Sequence, residues 1–72
     1  MKKIDTLGMD CPIPLLQLKK ELSSCETGEV IELRFSCPEA TVDIPTFCRE
    51  NNHEVLEYKK LGPEGWMIKV KK

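Results

Sequence analysis

The sequence predicts a small α+β protein: a two-layer α/β sandwich of order β-α-β-α-β-β, with two helices on one face of a four-stranded mixed sheet. Three observations lead there. The chain has 72 residues, which makes one domain, residues 1–72, near the lower size limit for folding on a private core. Its apolar positions switch between a repeat of two and helical spacing. Glycine and proline mark the changes, with no linker, internal repeat or low-complexity tract between them.

Each element follows in turn. "KKIDTL" reads as a short first strand ended by Gly8. Residues 12–25 read as a helix, because Leu15, Leu18, Leu22 and Cys25 recur at helical spacing and form one apolar stripe. Thr27 and Gly28 stop it, with glycine in the usual place after a helix end. "EVIELRF" alternates, placing Ile31, Leu33 and Phe35 on one face and Glu32 and Arg34 on the other, as in a strand with one buried side. In the second helix Asp43 is expected as the N-cap, with Ile44 and Pro45 in the first turn, where a missing N–H costs little. Ala40 to Val42 would form a tighter lead-in, and Ile44, Phe47 and Cys48 the apolar face. "HEVLEYKK" and "WMIKVKK" are expected as a hairpin through "LGPEG". The lysines of the last strand suit a protected sheet edge.

Composition narrows the function classes. Hydrophobic residues make up 40% of the chain and charged residues 32%, a balance that argues against disorder. Eleven basic and 12 acidic residues give a net charge of −1, so no strong field for nucleic acid or anionic lipid follows, and no nucleic-acid partner is expected. The opening "MKKIDTLGMDC" has the lysines of a signal peptide without the apolar stretch that would follow them. No apolar run approaches a membrane span. The expectation is a cytoplasmic protein with reduced thiols, rather than a disulfide scaffold built on the four cysteines.

The unusual feature is "GMDCPIPLLQLKK", residues 8–20, in which two prolines follow a cysteine at a helix entrance. Proline is favoured at the first helical position, which would put Cys11 at or near the N-cap. There a sulfur faces unpaired backbone N–H groups and the positive end of the helix dipole, which favour thiolate, the nucleophilic form. The alternative is a small residue before an ordinary proline-started helix, although a purely structural cap would more often be Ser, Asp or Asn. The first two strands flank a helix and should run parallel. Cys11 and Cys37 each follow the end of one of them, so both emerge at one sheet edge, about 5 Å apart laterally if the strands are neighbours and about 10 Å if one intervenes. Cys37 also precedes a proline, Pro38, and a helical turn.

"LGMDCPIPLLQLKK" resembles the C-P-x-P signature of the TusA/SirA-like sulfur carriers, with a basic residue, Lys19, eight positions after the cysteine. "PEATVDIPTFCRENNHEV" and the closing hairpin resemble the same family, so the likeness runs across nearly the whole chain. It implies a β-α-β-α-β-β fold in which Cys11 carries sulfur as a persulfide, without cofactor or metal. Cys37, in "RFSCPEAT", stands where many sulfur-relay members have an acidic residue, and with tryptophan in the last strand ("GWMIKV") this looks more like the YeeD-type proteins. That branch implies Cys11, Cys37 and Lys19 as functional residues, thiosulfate or another sulfane-sulfur donor as substrate, and a YeeE-type membrane transporter as partner, with recruitment to the inner face of the membrane. It also implies sulfurtransferase-like, thiosulfate-decomposing activity. The alternatives are a passive persulfide carrier between a desulfurase or rhodanese and an acceptor and, more remotely, an RNA-binding module.

The remaining candidates read as structural. Cys25 and Cys48 lie on apolar helix faces and are expected in the core. Zinc would need about four convergent ligands, and the chain has no C-x-x-C pair and one histidine, His53, expected at a helix end or loop. Trp66 reads as a packing anchor. Eight residues of helix rise about 12 Å, so a direct Lys19–Cys11 contact is not expected, and a solvated lysine on the polar face is the simpler reading.

Overall fold

The computed structural model describes residues 2–63 and 65–72. Its elements are β1 (Lys2–Thr6), α1 (Ile13–Ser24), β2 (Val30–Phe35), α2 (Ala40–Glu50), β3 (Glu54–Leu61) and β4 (Gly65–Lys71). The sheet order is β1-β2-β4-β3, with β1 parallel to β2 and the other pairs antiparallel. The expected two-layer α+β architecture, with a four-stranded mixed sheet and both helices on one face, is the one observed. Glu64, within the expected 61–65 turn, lies outside the described residues; Leu61 and Gly65 pair across it.

The core sits between the sheet and the helices. Ile31, Leu33 and Phe35 are fully buried, and Ile68 and Val70 of β4 join them from the paired positions. From the helices come Leu18, Leu22, Ile44 and Cys48. Burying apolar surface at about 25 cal/mol per Å² drives this assembly. Cys25 and Cys48 lie in the core as their spacing predicts. Burial pushes the Cys48 thiol up to about 11. Trp66 is half-buried and stacks on Phe35 at 5.8 Å between ring centroids, the packing role expected of it.

Two expectations are corrected. First, β4 is not a sheet edge: it lies between β2 and β3, and the edges are β1 and β3. Lys69 therefore faces a carboxylate instead of solvent alone, with its Nζ 3.2 Å from Oε1 of Glu57 on β3. The outer face is a lattice of opposite charges, since Lys3 pairs with Glu32, Asp5 with Arg34, and Lys69 with both Glu32 and Glu57. Second, Asp43 does not cap α2. The helix begins at Ala40 with Glu39 at the cap, Asp43 falls in the first turn, and Pro45 lies inside the helix. Pro45 has no N–H for the carbonyl of Thr41, four residues earlier. The Tyr58 hydroxyl donates to that carbonyl instead, at 3.4 Å. The tight lead-in comes earlier than expected: the N–H groups of Ala40, Thr41 and Val42 bond the carbonyls of Cys37, Pro38 and Glu39.

Helix α2 ends in a Schellman arrangement. Asn52 takes a φ of 59°, and the N–H groups of Asn52 and His53 bond the carbonyls of Arg49 and Cys48. His53 thus has the helix-end place its sequence suggests, with its ring 5.7 Å from that of Phe47.

Candidate functional site

The site lies at the edge of the sheet where β1 and β2 end. Because the two strands are direct neighbours in parallel, the loops after them start side by side. After Thr6 the chain turns sharply: the Met9 N–H bonds the Thr6 carbonyl at 3.0 Å, and Gly8 takes a φ of 84°. A left-handed residue at the third position of such a turn is most easily glycine. Asp10 then accepts a bond from the Ile13 N–H through its carbonyl at 2.9 Å, closing a turn that carries Cys11 and Pro12.

This turn changes the helix entrance. Pro12 holds the cap position, Ile13 is the first helical residue, and Pro14 lies in the first turn. Cys11 therefore stands one residue outside the cap, and the Cys11–Pro12 peptide is cis. The first helical bond runs from the Leu16 N–H to the Pro12 carbonyl. Among the described residues no side chain caps α1, but the entrance has fewer open N–H groups than expected, because Pro12 and Pro14 have none and the Ile13 N–H is bonded to the Asp10 carbonyl.

Cys11 and Cys37 come together. Their Cα atoms lie 5.6 Å apart across 26 positions of sequence, and the structure joins the two sulfurs in a disulfide. The Cα separation agrees with the lateral spacing expected of neighbouring strands and falls in the usual range for a bridge. The two sides of the pair differ. Cys37 is 4% exposed, whereas Cys11 is only half-buried. The rim around Cys11 is open, with Leu7 and Met9 each 44% exposed, Ile13 37%, and Asp10 exposed directly beside the cysteine. On the other side Ser36, Pro38, Pro63 and Trp66 line a shallow depression beside Cys37.

Lys19 is not part of this cluster. Its Nζ sits over the Phe47 ring, 5.2 Å from the centroid, bridging α1 to α2. Six helical residues from Ile13 to Lys19 rise about 9 Å, in keeping with the absence of a direct contact expected from the sequence. No group of three or more His, Cys, Asp or Glu residues is arranged to hold a metal among the described residues. Among the described residues no helix is long and apolar enough to cross a membrane.

One residue at the site went unnoticed in the sequence. The Ser36 hydroxyl accepts a hydrogen bond from the Gly8 N–H at 2.8 Å, across the gap between the two cysteine loops. A hydroxyl directly before Cys37, at the end of a strand parallel to β1, is the signal that could have found it.

Comparison with known proteins agrees with this geometry. The family model described as sulfurtransferase TusA matches residues 2–72. A protein of Archaeoglobus fulgidus named as a sulfur carrier is 39% identical over 72 residues, covering 100% of this chain and 97% of its own. One of Escherichia coli, named as the sulfur carrier TsuB, is 33% identical, with 100% and 96% covered. The sulfur carrier protein TusA of Allochromatium vinosum is 30% identical over 61 residues, covering 85% and 80%. The crystal structure of a SirA-like protein from Desulfitobacterium hafniense superposes with a TM-score of 0.85 at 24% identity, over 99% of this chain and 96% of that one, and so shares the fold. With the family model matching residues 2–72 and relatives above 30% identical over the whole length, the chain belongs to the TusA family of cysteine-based sulfur-transfer and carrier proteins.

Proposed function

We propose that the chain takes sulfane sulfur from thiosulfate onto Cys11 and releases it with the help of Cys37. The observation that carries this reading is the asymmetric pair: a half-buried Cys11 on an open rim, with a buried Cys37 at a Cα distance of 5.6 Å. The Cys11 thiolate attacks the outer sulfur of thiosulfate, the S–S bond to the sulfonate breaks, and sulfite leaves with the electron pair. Cys11 then holds a persulfide. The Cys37 thiolate attacks Sγ of Cys11, and the outer sulfur departs as hydrosulfide. The two cysteines lose two electrons to form the disulfide, and the sulfane sulfur gains them. A dithiol reductant returns the pair to its starting state. No cofactor enters either step.

Family membership supports a sulfur-relay partner. On this reading the partner is a YeeE-type thiosulfate transporter, and the chain works in the cytoplasm at the inner face of the membrane. Lys19, held over Phe47 on the helical side, serves as an anion-attracting or partner-docking charge. The open rim suits transfer to another protein better than enclosure of a substrate. The names of the relatives favour a second reading, a passive persulfide carrier in which Cys37 takes no part.

Single-turnover reaction of the reduced protein with thiosulfate separates the two. The expected result is sulfite and sulfide release by the wild type, which ends as the Cys11–Cys37 disulfide. Cys37→Ser should gain one sulfur atom by intact mass and release little sulfide. Equal sulfide release from both proteins would overturn the resolving role. A wild type that keeps its sulfur indefinitely would be a passive carrier.

A further inference from the structure

We propose that Ser36 is a positioning residue for the cysteine pair, tying the Cys11 loop to the Cys37 loop and thereby favouring their union. This rests on the reading of Cys37 as the thiol that resolves Cys11. The parallel ladder of β1 and β2 ends at the pair Thr6–Phe35, where the Thr6 hydroxyl donates to the Arg34 carbonyl at 2.7 Å. Beyond that point, among the described residues, no backbone hydrogen bond joins the loop over 7–12 to the segment 36–39. The bond from the Gly8 N–H to the Ser36 hydroxyl, at 2.8 Å, carries the connection past the end of the ladder.

The backbone is arranged for this bond. Gly8 has open space where a side chain would be, with nothing within 4 Å of an added Cβ, so its glycine serves conformation rather than room. Its φ of 84° turns the chain and aims its N–H across to β2. The same loop is held on its other flank: an added Cβ at Gly65 would come within 3.3 Å of Leu7 Cδ2, so Leu7 packs against bare backbone there. Ser36 is bonded to the residue three before Cys11 and adjoins Cys37, so its hydroxyl limits how far the two thiols can separate when reduced. The coupling is reciprocal: whatever the Ser36 bond adds to disulfide formation, the disulfide returns to that bond.

Glutathione equilibrium measures this without any sulfur donor, so it remains readable even if thiosulfate chemistry at Cys11 fails. Reduced and oxidised protein are brought to equilibrium with mixtures of glutathione and glutathione disulfide, which accept and supply the two electrons, and the Cys11–Cys37 disulfide is quantified by alkylation and mass. Ser36→Ala should weaken the disulfide equilibrium about two- to fivefold, the upper figure being a whole net hydrogen bond made only in the oxidised state. Ser36→Thr, which keeps the hydroxyl, should stay close to the wild type. The Gly8 amide should also exchange more slowly in oxidised than in reduced wild type. An unchanged equilibrium in Ser36→Ala, or an equal fall in the threonine variant, would overturn the proposal. If Ser36→Ala does not melt cooperatively, the wild-type exchange comparison decides, and equal Gly8 exchange in both redox states counts against it.

Discussion

The Cα atoms of Cys11 and Cys37 lie 5.6 Å apart across 26 positions of sequence, yet one cysteine is half-buried and the other 4% exposed. Two thiols at one sheet edge thus have different access to solvent. The depth of Cys37 comes from its place between the end of β2 and the first turn of α2, where its carbonyl accepts the Ala40 N–H at 3.1 Å. The exposure of Cys11 comes from the turn that lifts it one residue outside the cap of α1.

That difference predicts an order of alkylation. In the reduced native protein Cys11 should react first with a small alkylating agent at neutral pH, and Cys37, Cys25 and Cys48 only slowly. Peptide mapping over time reads the order directly. Labelling of Cys48 as fast as Cys11 in the folded protein would contradict the burial of that thiol.

Cys48 also predicts a loss of stability in alkali. Its thiol is pushed from 9.0 up to about 11 by burial. Between those values the unfolded chain has released the proton and the folded chain keeps it, so stability falls as pH rises. The contribution is whole below pH 9 and is lost by about pH 11, amounting to about 3 kcal/mol at about 1.4 kcal/mol per pH unit. Cys48→Ala should cost about 1 kcal/mol at neutral pH through the lost packing. It should also flatten the decline between pH 9 and 11, as seen in urea melts.

The bond between Tyr58 and Thr41 predicts a coupling with Pro45. Tyr58→Phe keeps the ring, which stands edge-on to Phe35 at 6.4 Å, and removes only the donor to the Thr41 carbonyl. The expected cost is about 0.5 kcal/mol, the lower end for a net hydrogen bond, given the long distance and exposed setting. In a Pro45→Ala background the new N–H can serve that carbonyl, so the same change should cost less. A double-mutant cycle by thermal denaturation checks this, and an equal cost in both backgrounds would refute it.

Lys19 is expected to divide between packing and charge. Lys19→Gln should lower stability by no more than about 1 kcal/mol, because the contact with Phe47 is at an exposed site. If the ammonium attracts an anionic donor, the wild-type loading rate with thiosulfate should fall as salt is added, and the variant should show a shallower fall. Identical salt profiles would leave Lys19 as a bridge between helices.

Much of this was legible in the chain because it is encoded locally. Period-two alternation in 29–35, the leucine stripe of α1 and the glycines after β1, α1 and β3 depend on neighbours a few residues away. The same pattern placed Cys25 and Cys48 inside, and the β-α-β order was enough to send Cys11 and Cys37 to one sheet edge. Tertiary structure decided what depends on distant partners. Nothing local distinguishes a lysine-rich edge strand from a lysine-rich inner strand: β4 pairs on both sides, and Glu57 on a neighbouring strand answers the charge of Lys69 on its outer face. Pro45 reads as a helix start until Tyr58, from β3, supplies the donor that proline lacks. Ser36 reads as an ordinary strand end until the parallel pairing of β1 and β2 sets it opposite the Gly8 N–H. In each case the deciding group lies at least 12 positions away, and only the folded sheet brings its charge or hydrogen bond within reach.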